Sequence, residues 1–319
     1  MVSKIGLNGF NVASKLIFRQ MEETPNWQIA HVNCPFTPRQ LADSLKEDAT
    51  SEAGFSDIGY DEMHLSVNGR LIPVTNFNAP NLIPWSDSEV SVVLDSGLHG
   101  KTRSVLQGHL SQGVRRVLLC CPPADNSIEH VVMVEVNDFE IGETDTILSV
   151  ASSEAACAVA MLKTLDDGFG IARALMHAVI PNSQTGAPDM SLAHSEAVRV
   201  VQQILPNMHG VFDGSTTLVS ACDCAFMEIT AELHQHTTAH DVRECFQRMG
   251  QRSSLLDFSS SAVEKSQILR NPCVALFDAP FTKVIAENFV QIAAWYDADF
   301  CQATQILKLL NHLKDLENC

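Results

Sequence analysis

The first twenty residues constrain the fold more than any other stretch. Lys4–Phe10 reads KIGLNGF, an apolar run closing on glycines, and Asn11–Met21 follows with helical spacing at Val12, Leu16 and Ile17. Strand, tight turn and helix in immediate succession commit a chain to parallel pairing, because the helix carries the next strand back alongside the first. A second strand is expected at Trp27–Val32, closed by Asn33-Cys34-Pro35, and short β-rich runs recur at Val90–Leu94 and Arg116–Cys121, with a helical stretch from Lys101 to Gln112 between them. From about Thr146 the pattern changes. Ser153–Leu165 reads as a helix, and longer strands of antiparallel type follow at Ala172–Ile180, Gly214–Leu233, Val274–Phe281 and Phe289–Asp297. A helix at Ala239–Met249 is opened by Thr238 and Asp241 at capping-box spacing, and Ala303–Leu316 is amphipathic.

The expected class is therefore α/β. A Rossmann-type doubly wound domain over residues 1–150 precedes an α+β domain over 151–302, and a terminal helix over 303–319 returns to the first domain. A length of 319 residues suits two domains. No run of about eighteen apolar residues is present, and the N-terminus lacks the apolar core of a signal peptide, so a cytoplasmic protein with no membrane partner is expected. Ten cysteines show neither a CxxC pair nor a disulfide framework and read as buried, reduced thiols. A formal net charge of -17 argues against nucleic acid and anionic lipid as partners, and makes any phosphorylated ligand depend on a local basic pocket.

Several runs together resemble glyceraldehyde-3-phosphate dehydrogenase. They are KIGLNGF, VNGRLIPV at Val67–Val74, Ile83-Pro84-Trp85, Gly108-His109-Leu110, ILSVAS at Ile147–Ser152, FGIARALM at Phe169–Met176 and ENFVQIAAWYD at Glu287–Asp297, in family order along nearly the whole chain. The resemblance implies a Rossmann-type domain, a characteristic C-terminal domain, and chemistry in which a cysteine thiolate attacks an aldehyde beside a histidine base, with NAD as hydride acceptor. The matching positions depart from that chemistry. The nucleophile position holds Ser153, with the family's second cysteine kept as Cys157 one helical turn deeper, and the base position holds Ile180. His177 lies close in sequence, but the alternation of a strand puts it on the face opposite 176, 178 and 180.

The resemblance also locates the cofactor positions. Of the four turn glycines Gly6 and Gly9 remain, and the next two are Asn11 and Ser14; a side chain at the former obstructs close approach of a pyrophosphate. The acidic residue that holds the adenosine ribose is replaced by Cys34, and the nicotinamide anchor by Ala298. The arginine of the phosphate site aligns with Leu218, the second phosphate loop has no match around Ala193-His194-Ser195, and the Ile180–Pro206 connection is shortened, which puts the family tetramer in doubt. No cofactor and no functioning catalytic set is expected.

Other candidates are thin. His234, His236 and His240 form HQHTTAH, the first two on one face of a strand end, without the carboxylate or thiol that would complete a metal site. Cys222 and Cys224 share a strand face with no nearby cation, and Cys120-Cys121 follow Arg115 and Arg116; buried packing is the expectation for both pairs. The reading is a pseudoenzyme-like relative that binds or regulates a protein partner, itself or an active family member. The alternatives are an enzyme of different reaction in the same cleft or a residual NAD-dependent aldehyde-phosphate dehydrogenase.

Overall fold

A computed structural model describes residues 2–318 apart from 23, 25, 48–56, 129, 143, 183–188 and 221. The chain divides into two units. The first comprises Met1–Val132, Asp138–Val150 and Gln305–Cys319, and the second Met133–Asn137 and Ala151–Thr304.

The first unit contains β1 (Ser3–Asn8), α1 (Val12–Glu22), β2 (Trp27–Asn33), α2 (Pro38–Glu47), β3 (Ile58–Tyr60), β4 (His64–Val67), β5 (Arg70–Thr75), β6 (Val92–Asp95), α3 (Arg103–Leu110), β7 (Arg116–Leu119), β8 (Val131–Val132) and β9 (Ile147–Val150). Its sheet runs β3-β4-β5-β2-β1-β6-β7-β9-β8 among the described residues. All pairings from β5 to β8 are parallel, while β3, β4 and β5 form an antiparallel extension. The central strands β6, β7 and β9 are buried at every residue, as parallel strands covered on both faces must be. The β4–β5 hairpin turns on Asn68 (φ 50°) and Gly69 (φ 77°), the pair of left-handed residues that a tight hairpin requires.

The second unit contains α4 (Ser153–Phe169), β10 (Ile171–Pro181), β11 (Met190–His194), α5 (Ala197–Ile204), β12 (Phe212–Val219), β13 (Ala225–Leu233), α6 (Ala239–Gly250), β14 (Leu256–Ser259), α7 (Lys265–Ile268), β15 (Ala275–Asp278), β16 (Lys283–Ile285), β17 (Phe289–Tyr296) and the start of α8 (Ala298–Asn318). Its sheet runs β11-β12-β10-β13-β17-β15-β14, with β16 beside β17. Helix α4 is apolar nearly all round, burying ten of its 17 residues, as a helix at the centre of a layer should. It packs on β10, β13, β15 and β17. The capping box on α6 is present, with Thr238 accepting from Asp241 N and Asp241 accepting from Thr238 N.

Several boundaries differ from the sequence expectation. The single strand expected over Gly214–Leu233 is two strands: β12 runs parallel to β10 on one side, and β13 antiparallel to it on the other. Apolar-polar alternation runs on through the reversal, which lacks the glycine and proline that would have marked it, so the turn leaves no trace in the pattern. Cys222 and Cys224 consequently lie in that turn and share no strand face. His234 and His236 likewise lie beyond the end of β13, with His240 in the first turn of α6. The terminal helix starts five residues earlier than expected, at Ala298. Its Gln305–Cys319 part belongs to the first unit, where Asn311 accepts a 2.9 Å hydrogen bond from the Trp27 indole. Of the shortened Ile180–Pro206 connection, residues 183–188 lie outside the described residues, and the remainder forms β11 and α5.

Candidate functional site

In a doubly wound sheet, ligands enter at the carboxyl ends of the parallel strands. In the first unit those ends are filled by a continuous hydrogen-bonded network of the protein's own side chains. Asn8, the last residue of β1, donates to Asp95 Oδ2 at 2.8 Å and accepts from Asn33 Nδ2 at 2.9 Å. Asp95, at the end of β6, also accepts from His109 Nε2 at 2.8 Å and from the Gly97 amide at 2.6 Å. The Trp85 indole donates to His109 Nδ1 at 2.9 Å, which fixes that imidazole as the neutral Nε2–H tautomer. On the other side Asn33 accepts from Thr75 Oγ1 at 2.9 Å, and Thr75 accepts from His31 Nε2 at 3.0 Å. Burial, partly offset by Asp87, pulls the His31 pKa down to about 4, so this imidazole is neutral as well.

The retained glycines answer to packing. A Cβ on Gly6 would sit 2.6 Å from the Trp85 ring, and one on Gly9 1.8 Å from Ser96 Oγ, where φ is also +97°. Asn11 is the N-cap of α1: its side-chain oxygen accepts from Ser14 N at 2.8 Å and from Ser14 Oγ at 2.9 Å. The cap takes up one of the backbone N–H groups that the start of α1 leaves without an intrahelical partner. Cys34 is fully buried, its thiol directed at Phe36 O at 3.7 Å and its pKa pushed up by burial.

In the second unit the position matched to the family's nucleophile stands at the N-terminus of α4. Ser152 caps the helix by accepting from Ala155 N at 3.3 Å. Ser153 opens the first turn, and its hydroxyl makes no hydrogen bond among the described residues. Glu154 follows. Its carboxylate accepts hydrogen bonds from Ser195 Oγ at 2.9 Å and from Thr216 Oγ1 at 2.5 Å. Burial raises the Glu154 pKa; the two hydroxyl bonds pull it the other way without cancelling that rise, and nearby Glu196 adds to it.

Strand register gives the wall around this carboxyl. Thr216 pairs with Ala178, and two residues on Leu218 pairs with Ile180, so the position expected of a base and that of a phosphate-binding arginine are neighbouring aliphatic side chains. His177 points to the opposite face and is held there by Ser215 Oγ at 3.0 Å and Thr217 Oγ1 at 3.1 Å. Cys157 is fully buried, and burial drives its thiol pKa well above the usual value. Burial likewise raises the thiol pKa of Cys120, Cys222 and Cys224. His236 pairs with Glu287 at 2.9 Å, and among the described residues no group of three or more His, Cys, Asp or Glu side chains is placed to hold a metal. Ala298 opens α8 and offers no side-chain polar group to a ligand.

Sequence reasoning named the family-matched positions but missed both polar assemblies. The strand-end network joins residues up to 91 apart in the chain, and Glu154 meets partners 41 and 62 residues away. The only local signal was an acidic residue in the first turn of α4.

Residues 152–298 match the family model of the glyceraldehyde 3-phosphate dehydrogenase C-terminal domain, and residues 3–103 that of its NAD binding domain. The chain is similar to glyceraldehyde-3-phosphate dehydrogenase 2 of Bacillus subtilis, 24% identical with 98% of this chain and 97% of the relative covered. It is similar also to the enzyme of Lactococcus lactis, at 26% identity over 98% of each chain, and to glyceraldehyde-3-phosphate dehydrogenase 3 of Saccharomyces cerevisiae, at 24% over 97% and 98%. Two domain matches in order and near-complete coverage make the chain a member of the glyceraldehyde-3-phosphate dehydrogenase family.

Proposed function

We propose that this chain is a non-catalytic member of the family, acting as a binding or regulatory protein on another protein, either a second copy or an active family enzyme. The observation that carries the reading is Glu154. The relatives are named for an aldehyde that bears a phosphate. Here a carboxylate stands at the head of α4 and takes the hydroxyls of Ser195 and Thr216, so a second anion would meet like charge where it needs donors. Beside it Ser153 has neither a thiol's acidity nor a base, since Ile180 cannot accept a proton. The Asn11 cap and the buried Cys34 support the same conclusion for NAD.

With chemistry lost and the fold retained, selection acts on surface and shape, which are what a partner reads. The nine described cysteines are free, as expected of a protein working in the reducing cytoplasm beside active family members. The net charge of -17 argues against nucleic acid and anionic membranes as the target.

Two measurements test this. Calorimetric titration with millimolar NAD should give no saturable heat, and a micromolar Kd would overturn the loss of the cofactor site. Native mass spectrometry of the chain mixed with an active family enzyme from its own host should show mixed assemblies. Their absence, together with absence of self-association, would remove both named partners.

A further inference from the structure

One stripe of α6 is left with unspent hydrogen-bond donors. His240, Arg243, Glu244 and Gln247 recur at i, i+3, i+4 and i+7, so they stand along one face over about 10 Å of helix. They line a cleft of about 340 Å³ in the second unit, whose other wall is made by Phe258 of β14, Ser260 just after it, Ala279 and Pro280. Neither Ser153 and Glu154 nor the partners of Glu154 border it.

The helix register leaves Arg243 without a local acid. Its neighbours at i−4, i−3, i+3 and i+4 are Ala239, His240, Phe246 and Gln247. Glu244, the acid on this wall, is engaged four residues on by Arg248 at 3.4 Å. Among the described residues the side chains of His240, Arg243, Gln247 and Ser260 make no hydrogen bond or ion pair with the protein. In a chain of 38 acidic and 21 basic residues, an arginine facing a cleft with no carboxylate of its own is a donor set waiting for an anion. The facing wall is apolar and stiff. Phe258 stacks on Phe277 (5.8 Å, 21°), and Phe277 stacks on Phe246 inside α6 (4.0 Å, 10°), so the wall ring is anchored in the core.

We propose that this cleft binds a small aryl carboxylate, its charge on Arg243 and its ring against Phe258 and Pro280. The guanidinium is a planar fork that matches both oxygens of a carboxylate, and the Gln247 amide and Ser260 hydroxyl supply donors for the remaining lone pairs. The charge count selects the acid. Arg243 is the one permanent cation lining the cleft, and Glu244 stands next to it, so one negative charge is balanced. A phosphate monoester brings nearly two and would leave a surplus facing Glu244. The volume is at the lower end for ligand pockets and suits a single ring. The site does not depend on the reading of the chain as non-catalytic.

Calorimetric titration of the full chain with benzoate tests the assignment. Saturable binding with a Kd of about 1 mM or tighter is expected. Acetate, which lacks the ring, and phenyl phosphate, which carries the extra charge, should each bind at least about tenfold more weakly. Arg243→Gln should weaken benzoate at least about tenfold, whereas Arg252→Gln, which removes the same charge from an exposed residue outside the cleft, should leave the affinity within about twofold. No saturation by benzoate up to about 20 mM, or equal benzoate affinity in the parent and Arg243→Gln, would overturn the site. Acetate as tight as benzoate would overturn the seat of the ring, and phenyl phosphate tighter than benzoate the choice of acid. Should Arg243→Gln lose the fold, Arg243→Lys decides: it keeps the charge without the fork, and unchanged affinity in place of a loss of about threefold or more would refute the role given to the guanidinium.

Discussion

Replacing Glu154 by glutamine tests whether the carboxylate at the head of α4 is held there against its own electrostatic preference. The glutamine keeps the shape, and its Oε1 accepts from both hydroxyls as the carboxylate oxygen does, so Ser195 and Thr216 stay partnered. What disappears is the buried charge. Burial outweighs the two hydrogen bonds and raises the folded-state pKa above the ordinary 4.5. A folded carboxyl with a raised pKa binds its proton more tightly than the unfolded chain does. Stability is therefore greatest below pH 4.5, falls as pH climbs through the folded pKa, and carries the full penalty at neutrality. The variant, which carries no charge at any of these pH values, is therefore expected to be more stable than the parent at pH 7. That advantage should vanish near pH 4, where both chains carry a neutral group. Urea unfolding followed at pH 4, 5.5, 7 and 8 gives the difference directly. A variant that is less stable at pH 7, by a margin that widens with pH, would mean that the hydroxyls and the helix terminus more than repay burial. Glu154 would then be a stabilising anion, and its use as the mark of a disabled site would fail.

Ser153→Cys combined with Ile180→His should raise iodoacetamide labelling, because a thiol at a helix N-terminus is acidified, yet produce no NADH from glyceraldehyde 3-phosphate. Measurable NADH would show cofactor and phosphate sites that Asn11 and Leu218 do not abolish. Asp95→Ala orphans two buried donors, from His109 and Asn8, and the part-buried Gly97 amide, and should cost about 3–5 kcal/mol in urea unfolding; a loss under about 1 kcal/mol would refute the network's structural role. Asn11→Ala removes the cap of α1 and should cost about 1 kcal/mol without creating NAD binding by titration. Light scattering should report a monomer or dimer, and a stable homotetramer would show that the shortened connection after β10 is not what governs assembly.

The sequence announced the architecture because the architecture is written locally. KIGLNGF and the helix after it and the Thr238–Asp241 box each need only neighbours within a few residues. The strand parity that placed His177 opposite Ile180 is equally local, and the two hydroxyls on His177 agree with it. The reversal between β12 and β13 was hidden because Ser220–Cys224 carries no special backbone residue. The polar assemblies were hidden for a different reason. A lone Asn8, Asp95 or His109 is unremarkable by itself, and only the parallel register of β1 with β2 and β6 brings them to a common end.

The collision at Gly6 and Gly9 bears on how such a chain drifts over time. Gly6 is not free to change, because any larger residue strikes the Trp85 ring, and Gly9 is pinned both by Ser96 and by its backbone. Packing alone is therefore enough to require glycine at both positions, whatever the crevice above them holds. A glycine fingerprint in a doubly wound domain therefore reports on the packing of the fold as well as on a ligand, and by itself does not name one.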